Sequence, residues 1–375
     1  MHKEYIRHDF HGVGGMLMLP VILRKPSMKK IIVLILLFVS LKSIGQKSEL
    51  NIAIDERIET LYSVAFLNDY FLIGEHQNLY KQKLDKNLQP LKKHKAVQLF
   101  DSLSKKYNFS YYRTVEWVLL FSDFPEFKKI KEKTDKYETV PKSKEYLLEN
   151  FREELIKFNQ DTLFQSYLNE IKPLNKKIIS QIKKSETLNE LPTYLENFYG
   201  KKLNSYNLIL SPLLHSGGFN SETINQNGEK EVYALIGPNG EIDFVPYFDK
   251  SYLETDLILH EFGHSFVNPL MEKHEKAIES LKPKYFTEKL EKHAKYQGYS
   301  KWKFVFNELL VRATTIKIAE KNFGKEKANE LLEYEKSIGF GVVESILEIL
   351  NEYDQNRNKY TDFDKFYPTL IERMK

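Results

Sequence analysis

His260-Glu261-Phe262-Gly263-His264 decides how the rest of this chain is read, together with the run Leu257-Ile258-Leu259 before it and Ser265-Phe266-Val267-Asn268-Pro269 after it. On a helix, residues four apart share a face, so His260 and His264 can present both imidazoles to one metal ion while Glu261 stands beside them as a base. Ser251 followed three residues later by Glu254 reads as a capping box, and the residue before Pro269 disfavours helical geometry, so the spacing predicts a helix ending near Asn268. Gly263 weakens a helix interior by about 1 kcal/mol against alanine, which is understandable if another backbone passes close to it.

The chain has 375 residues and no cysteine. Disulfides, a thiol nucleophile and cysteine-ligated metal are therefore excluded, and any metal must be held by histidine and carboxylate. Met28-Lys29-Lys30, the nine apolar residues 31–39 and the small-residue exit Ser43-Ile44-Gly45-Gln46 have the form of a signal peptide. Nine apolar residues fall short of the ~20 needed to span a bilayer, so no stable membrane span is expected after cleavage, and the mature chain is expected to be secreted or periplasmic. Residues 1–27 resemble neither a domain nor an ordinary leader, and Met28 is an alternative start. Of 56 basic and 52 acidic residues, the first 46 residues hold seven and two, which leaves 49 and 50. A near-neutral mature chain gives no electrostatic footprint for nucleic acid, and charge runs such as 128–136 read as solvated faces.

Residues 51–54 read as a short strand, followed by a helix carrying Ile58, Leu61, Tyr62, Val64, Ala65 and Leu67. A helical pair is expected over 92–121, with Tyr111, Tyr112, Val115, Trp117, Val118 and Leu119 in its core. Residues 143–199 are expected to form three or four helices broken near Asp161, Pro173 and Pro192. After Gly200 the apolar runs 208–214, 231–236 and 241–245 read as strands. They are separated by turn signals at Gly217-Gly218, Asn227-Gly228 and Pro238-Asn239-Gly240, the last predicting a tight hairpin. Beyond Pro269 the pattern is helical again over 270–281, 288–296, 302–322, 326–338 and 342–353. The expected fold is α+β, predominantly helical, with a small antiparallel sheet before the metal helix. Its parts are a leader at 1–46, a helical region at 47–200 and a catalytic region at 201–375 packed with it as one unit. A strand beside the metal helix could align an extended peptide by main-chain hydrogen bonds.

Catalytic zinc usually has three protein ligands and an open position. Val267 and Leu270 stand where a glycine and a third histidine would continue the motif, so the third ligand lies further on. Glu308 is the leading candidate, because its helix is apolar around most of its circumference and a buried carboxylate needs a cation or donors. An ion pair with Arg312 is an alternative use of Glu308, and Glu275, Glu288 and His293 are alternative ligands. Asp256 and Asn268, one turn before and after the histidines, are candidates to orient them. His215, Tyr247, Tyr353 and Tyr360 are candidate donors to a developing oxyanion.

His260, Glu261, His264 and Glu308 together resemble the pattern of glutamate zincins, metallopeptidases in which a glutamate on a later helix completes the site. The text His-Glu-Phe-Gly-His-Ser-Phe-Val-Asn-Pro-Leu also resembles a family of secreted Bacteroidetes proteins of unknown function. The first resemblance implies a zincin-like fold, Zn²⁺ held by His260, His264 and Glu308, Glu261 as general base, and a peptide or protein substrate. Glutamate zincins often carry an aspartate four residues after the ligand glutamate, where this chain has Arg312. A zinc-binding module without turnover and a non-peptide zinc amidase are the alternative readings.

Overall fold

The computed structural model describes residues 47–74, 77–134 and 138–375. The leader expected at 1–46 lies outside them. Asp55 accepts from the backbone N–H of Arg57 and so caps α1 (Glu56–Leu67), directly after β1 (Leu50–Ala53). Helices α2 (Leu79–Leu88), α3 (Lys95–Lys106) and α4 (Tyr112–Leu119) follow. Val115, Trp117, Val118 and Leu119 are buried as the pattern requires, but Tyr111 stays 46% exposed.

Helices α5 (Tyr146–Gln160), α6 (Thr162–Ile182) and α7 (Glu186–Tyr199) break at Asp161 and Ser185, each of which caps the next helix with its side chain. The breaks expected at Pro173 and Pro192 do not occur. Both prolines lie inside helices, where the buried faces Phe164, Tyr167, Ile171, Ile178 and Leu188, Leu191, Leu195 outweigh one lost hydrogen bond.

Five strands form the main sheet in the order β1, β3 (Tyr206–Leu210), β5 (Lys230–Gly237), β4 (Gly217–Ile224), β2 (Glu132–Lys133). The sheet is mixed, which corrects the antiparallel expectation: β1, β3 and β5 run parallel, and β4 runs antiparallel to β5 and to β2. Parallel pairing needs long crossovers, and the chain between β1 and β3 supplies one through its helices. β4 was not expected at all, since its opening Gly217-Gly218 reads as a turn. Its hairpin to β5 closes at Asn227-Gly228, where the Asn225 side chain accepts from the N–H groups of Asn227 and Glu229. Asn239-Gly240 makes no hairpin turn. β6 (Gly240–Ile242) pairs with β7 (Val245–Tyr247), and the turn lies at Asp243 and Phe244, both at positive φ.

The helix carrying the motif begins earlier and ends later than its spacing predicts. Asp249, not Ser251, is its cap and accepts from Tyr252 N–H. A π-helical turn, Leu253–Leu257, leads into α8 (Ile258–Lys273), which runs through Pro269 because Leu270 and Met271 are buried beyond it. After two short helical segments, Glu275–Glu279 and Lys282–Tyr285, come α9 (Glu288–Tyr296), α10 (Trp302–Phe323), α11 (Lys325–Ser337), α12 (Val342–Gln355) and α13 (Phe363–Met374). α8 lies on β4 and β5, and α10 packs against α8, α11 and α12. Gly263 faces Val311 of α10 and Tyr199 of α7. A Cβ there would stand 3.2 Å from Val311 Cγ1 and 3.3 Å from Tyr199 Oη, so side chains rather than a backbone occupy the space.

One hydrophobic core runs through Ser48–Lys375, a single compact unit. Among the described residues no helix is long and apolar enough to cross a membrane. The core also encloses a carboxyl group, Glu59 of α1. Its Oε1 accepts from Ser211 Oγ at 2.7 Å and its Oε2 has no partner. Burial pushes its pKa from 4.5 to about 8, against the Ser211 hydrogen bond and with help from Asp55. Between these values the folded chain holds a proton that the unfolded chain releases, so stability falls as pH rises through that window. Glu59→Gln is expected to flatten that decline and to stabilise the protein at pH 8 by a few kcal/mol, because each tenfold gain in proton affinity on folding is worth ~1.4 kcal/mol. Urea denaturation across pH 5 to 9 reads the difference.

Candidate metal centre and active site

α8 projects His260 and His264 on one face, and α10 brings Glu308 against them. The two Nε2 atoms are 3.2 Å apart, His260 Nε2 is 3.3 Å from Glu308 Oε1, and His264 Nε2 is 3.6 Å from Glu308 Oε2. Ligand atoms ~2.0–2.1 Å from one ion and tetrahedrally disposed stand ~3.3–3.4 Å from each other, so these separations fit a common metal. Glu308 Oε2 is buried and has no hydrogen-bond partner, the condition of a ligand atom awaiting a cation. Among the described residues these three form the one group of histidine and carboxylate side chains placed to hold an ion.

Arg312 does not compete with this use of Glu308. Its guanidinium takes Oε1, with Nε at 2.9 Å, and leaves Oε2 towards the histidines. It is itself pinned by Glu335 Oε2 at 2.6 Å, by Gln297 Oε1 at 3.1 Å and by the Phe340 ring at 4.5 Å. A cation held on several sides therefore orients the carboxylate. Burial alone would raise the Glu308 pKa, but Arg312 and His260 together hold it well below the usual carboxylate range. Burial opposes charging of His260, yet Glu308 overcomes it and raises the imidazole to about 9. His264, disfavoured by burial and by its charged neighbour His260, falls to about 4. One imidazolium thus occupies the charge position that a metal ion would take.

Glu261 points from the same helix towards β4. Its pKa is raised to about 7, by burial first and by Glu308 and Asp256 against the pull of His260 and Arg312. A carboxyl group that titrates near neutrality is suited to take and return a proton. A Cβ on Gly218 would meet Glu261 Oε1 at 3.0 Å, Leu235 O at 2.9 Å and Ile236 Cδ1 at 2.9 Å. Glycine in this strand therefore admits the carboxylate. Gly218→Ala is expected to displace Glu261 and crowd Leu235 O while His260, His264 and Glu308 keep their places on α8 and α10, so metal bound per chain, read by elemental mass spectrometry, should stay at the wild-type level.

Asn307, adjacent to Glu308 in sequence, lies beside His264. Its Nδ2 is 3.5 Å from His264 Nδ1 and donates to Asn268 Oδ1 at 2.7 Å, while its own Oδ1 has no partner. His264 also hydrogen-bonds the Asn268 side chain, whose oxygen serves as acceptor for an Nδ1–H, the tautomer that frees Nε2 for metal. Asn268 is thus part of the shell around His264. Asp256 sits one turn before His260, and burial holds its carboxyl above the ordinary range against the charges of His260 and Arg312.

The other sequence candidates lie elsewhere. Tyr353 Oη donates to Phe198 O, Tyr360 Oη pairs with Thr369 Oγ1, and Tyr247 Oη donates to Asp249 on the β6–β7 hairpin. Glu275 pairs with Lys303, Glu288 is exposed, and the His293 ring packs on Gly339. His215 precedes β4, with Nδ1 2.7 Å from Ser216 O and a buried, unpartnered Nε2. Tyr299 was not foreseen: burial and the charges of Glu308 and Glu261, against that of Arg312, hold its phenol well above its ordinary pKa. It is therefore a protonated donor, hydrogen-bonded to Glu308.

Residues 73–373 match a protein family described as a domain of unknown function (DUF4932). The chain belongs to that family. The match takes in α2 through α13, β2 through β7 and every residue of the centre, while β1 and α1 precede it. No curated protein and no solved structure matches the chain.

Proposed function

We propose that this protein is a zinc-dependent metallopeptidase of the glutamate-zincin type, exported by its leader. The observation that carries this reading is the convergence on one side of α8 of three metal-ligand atoms, a general base and a strand edge. β4 pairs with β2 at Thr223 and Ile224, and Thr134 Oγ1 donates to Glu222 O at 3.4 Å, so among the described residues no strand pairs with the outer edge of Gly217–Ser221, which runs past Glu261.

His260 Nε2, His264 Nε2 and Glu308 Oε2 would hold the ion. Zinc bound there supplies a Lewis acid that acidifies water towards a pKa of about 7 and polarises a carbonyl. Glu261 takes the proton from the attacking water and passes it to the leaving amine. Tyr299 donates towards the developing oxyanion. Arg312 keeps Glu308 oriented, and the β4 backbone aligns the peptide in extended form. The mixed sheet with its antiparallel outer strand on the metal helix supports a zincin-like architecture.

The test uses the protein expressed with its leader and purified as the host processes it. About one zinc per chain by elemental mass spectrometry, with cleavage of a mixed peptide library seen by mass spectrometry, is the expected result. A folded, zinc-loaded protein that cleaves no peptide would make it a zinc-binding module. A folded protein that takes up no zinc on reconstitution would remove the hydrolase reading altogether.

A further inference from the structure

Side chains of β4 alternate between two faces. Gly218 and Asn220 face α8, where Glu261 Oε1 lies by the former and Ser265 Oγ is 2.9 Å from Asn220 Nδ2. Phe219 lies on the opposite face, within an aromatic row. Its ring is 6.5 Å from Tyr111 and 5.6 Å from His215, and Tyr111 is 5.3 Å from Phe71. Phe71 is 61% exposed and Tyr111 46%, so two large rings stand in water beside the edge of β4 that no strand of the described residues pairs with.

Tyr111 is also held in place at a conformational cost. Its backbone has φ 52° and ψ −140°, a region that a tyrosine rarely adopts. It is kept there by Tyr111 N–H donating to Tyr70 Oη at 3.1 Å, while Tyr70 Oη also meets Ser110 Oγ at 2.6 Å and Thr114 Oγ1 donates to Tyr111 O at 2.9 Å. Strain of this kind persists where the surroundings over-determine it, commonly at ligand-contacting sites.

Building on the peptidase reading, we infer that Phe71, Tyr111 and Phe219 form a specificity shelf for a bulky apolar side chain of the bound peptide. Directly opposed residues on neighbouring strands project to the same face. A peptide residue lying opposite Gly218 therefore faces Glu261, and its neighbour, opposite Phe219, lays its side chain on the aromatic row. The substrate class is an extended peptide with phenylalanine, tyrosine, tryptophan or leucine at one fixed position next to or one removed from the cut.

Cleavage-site profiling of a proteome-derived peptide library compares the zinc-loaded full chain with Phe71→Ser/Tyr111→Ala and with the conservative Phe71→Leu/Tyr111→Phe. Zinc content and circular dichroism confirm that each variant is folded and loaded. The expected result is a bulky apolar preference at one position in the wild type, reduced about tenfold or more in the polar pair and kept in the conservative pair. Cleavage with no fixed-position preference, or a preference unchanged in the polar pair, overturns the shelf. If the wild type cleaves nothing, binding of a fluorescein-labelled octapeptide of alternating serine and phenylalanine to zinc-loaded Glu261→Gln decides. Binding that weakens about tenfold when Phe71→Ser/Tyr111→Ala is added keeps the shelf and rejects the peptidase reading. No binding, or binding that the pair leaves unchanged, rejects both.

Discussion

Glu308→Ala is expected to abolish zinc binding while the protein stays folded. The substitution removes one of three ligand atoms from a centre whose remaining donors are two imidazoles 3.2 Å apart, and a pair of histidines on one helix is a poor catalytic-type site by itself. Arg312 would lose one of its two carboxylates but would keep Glu335 at 2.6 Å and Gln297 at 3.1 Å, so the change does not strand a buried charge. The stability cost should therefore lie near the ~1–3 kcal/mol of an unmade buried hydrogen bond rather than the ~3–5 kcal/mol of a broken isolated ion pair. Elemental mass spectrometry should find about one zinc per wild-type chain and below about a tenth in Glu308→Ala. Adding zinc should raise the melting temperature of the metal-free wild type and leave that of the variant where it was. Wild-type zinc content in Glu308→Ala would reduce Glu308 to the ion-pair partner of Arg312 and send the search for the third ligand elsewhere.

How this centre could be read from the sequence divides along physical lines. His260 and His264 are local: four residues on a helix fix their relation whatever the rest of the chain does. Glu308 was accessible by a different signal, a carboxylate within the nearly all-round apolar text Phe304-Val305-Phe306-Asn307-Glu308-Leu309-Leu310-Val311, which implied burial and hence a cation. Arg312 looked like a rival claimant because one-dimensional reasoning counts partners per residue, whereas a carboxylate has two oxygens and Glu308 divides them. Asn307, next to Glu308 and one helical step from its face, carried no such signal.

The strand beside Glu261 shows the opposite case. Gly217 and Gly218 have low strand preference and read as a turn, yet both are in the sheet, paired with Gly237 and Ile236 of β5, and a Cβ on Gly218 would meet Leu235 O and Ile236 Cδ1 at 2.9 Å and Glu261 Oε1 at 3.0 Å. The same pair of letters serves both purposes, and the residues that decide between them come later in the chain. The parallel pairing of Leu50 with Tyr206 was equally out of reach, since nothing local in either strand names a partner across the intervening helices. Proline misled in a consistent way. Pro173, Pro192 and Pro269 all sit inside helices whose buried faces continue past them, so tertiary packing outweighed a local penalty each time.

Glu261→Gln is the substitution with the largest expected effect on turnover and the smallest on metal. Glutamine fills the same space beside Gly218 and keeps the helix, but it cannot take a proton from water or return one to a leaving amine. Loss of general-base catalysis typically costs 10²–10⁴ in rate, and the fall should appear in kcat with little change in KM, because the proposed alignment of the peptide by β4 does not use this side chain. Zinc content should stay at about one per chain, since the ligand atoms belong to His260, His264 and Glu308. Stability gives an independent readout. In the metal-free protein burial raises the Glu261 carboxyl to about 7, above its ordinary 4.5, so the folded state is disfavoured progressively as pH rises through that interval. A neutral amide removes that cost, and the metal-free variant should melt at or above the wild-type temperature at pH 7, the pattern of a site whose charge is kept at the expense of stability. Zinc loss in Glu261→Gln would make this residue part of the metal shell, and retained turnover above about a tenth of wild type would place the base on another group.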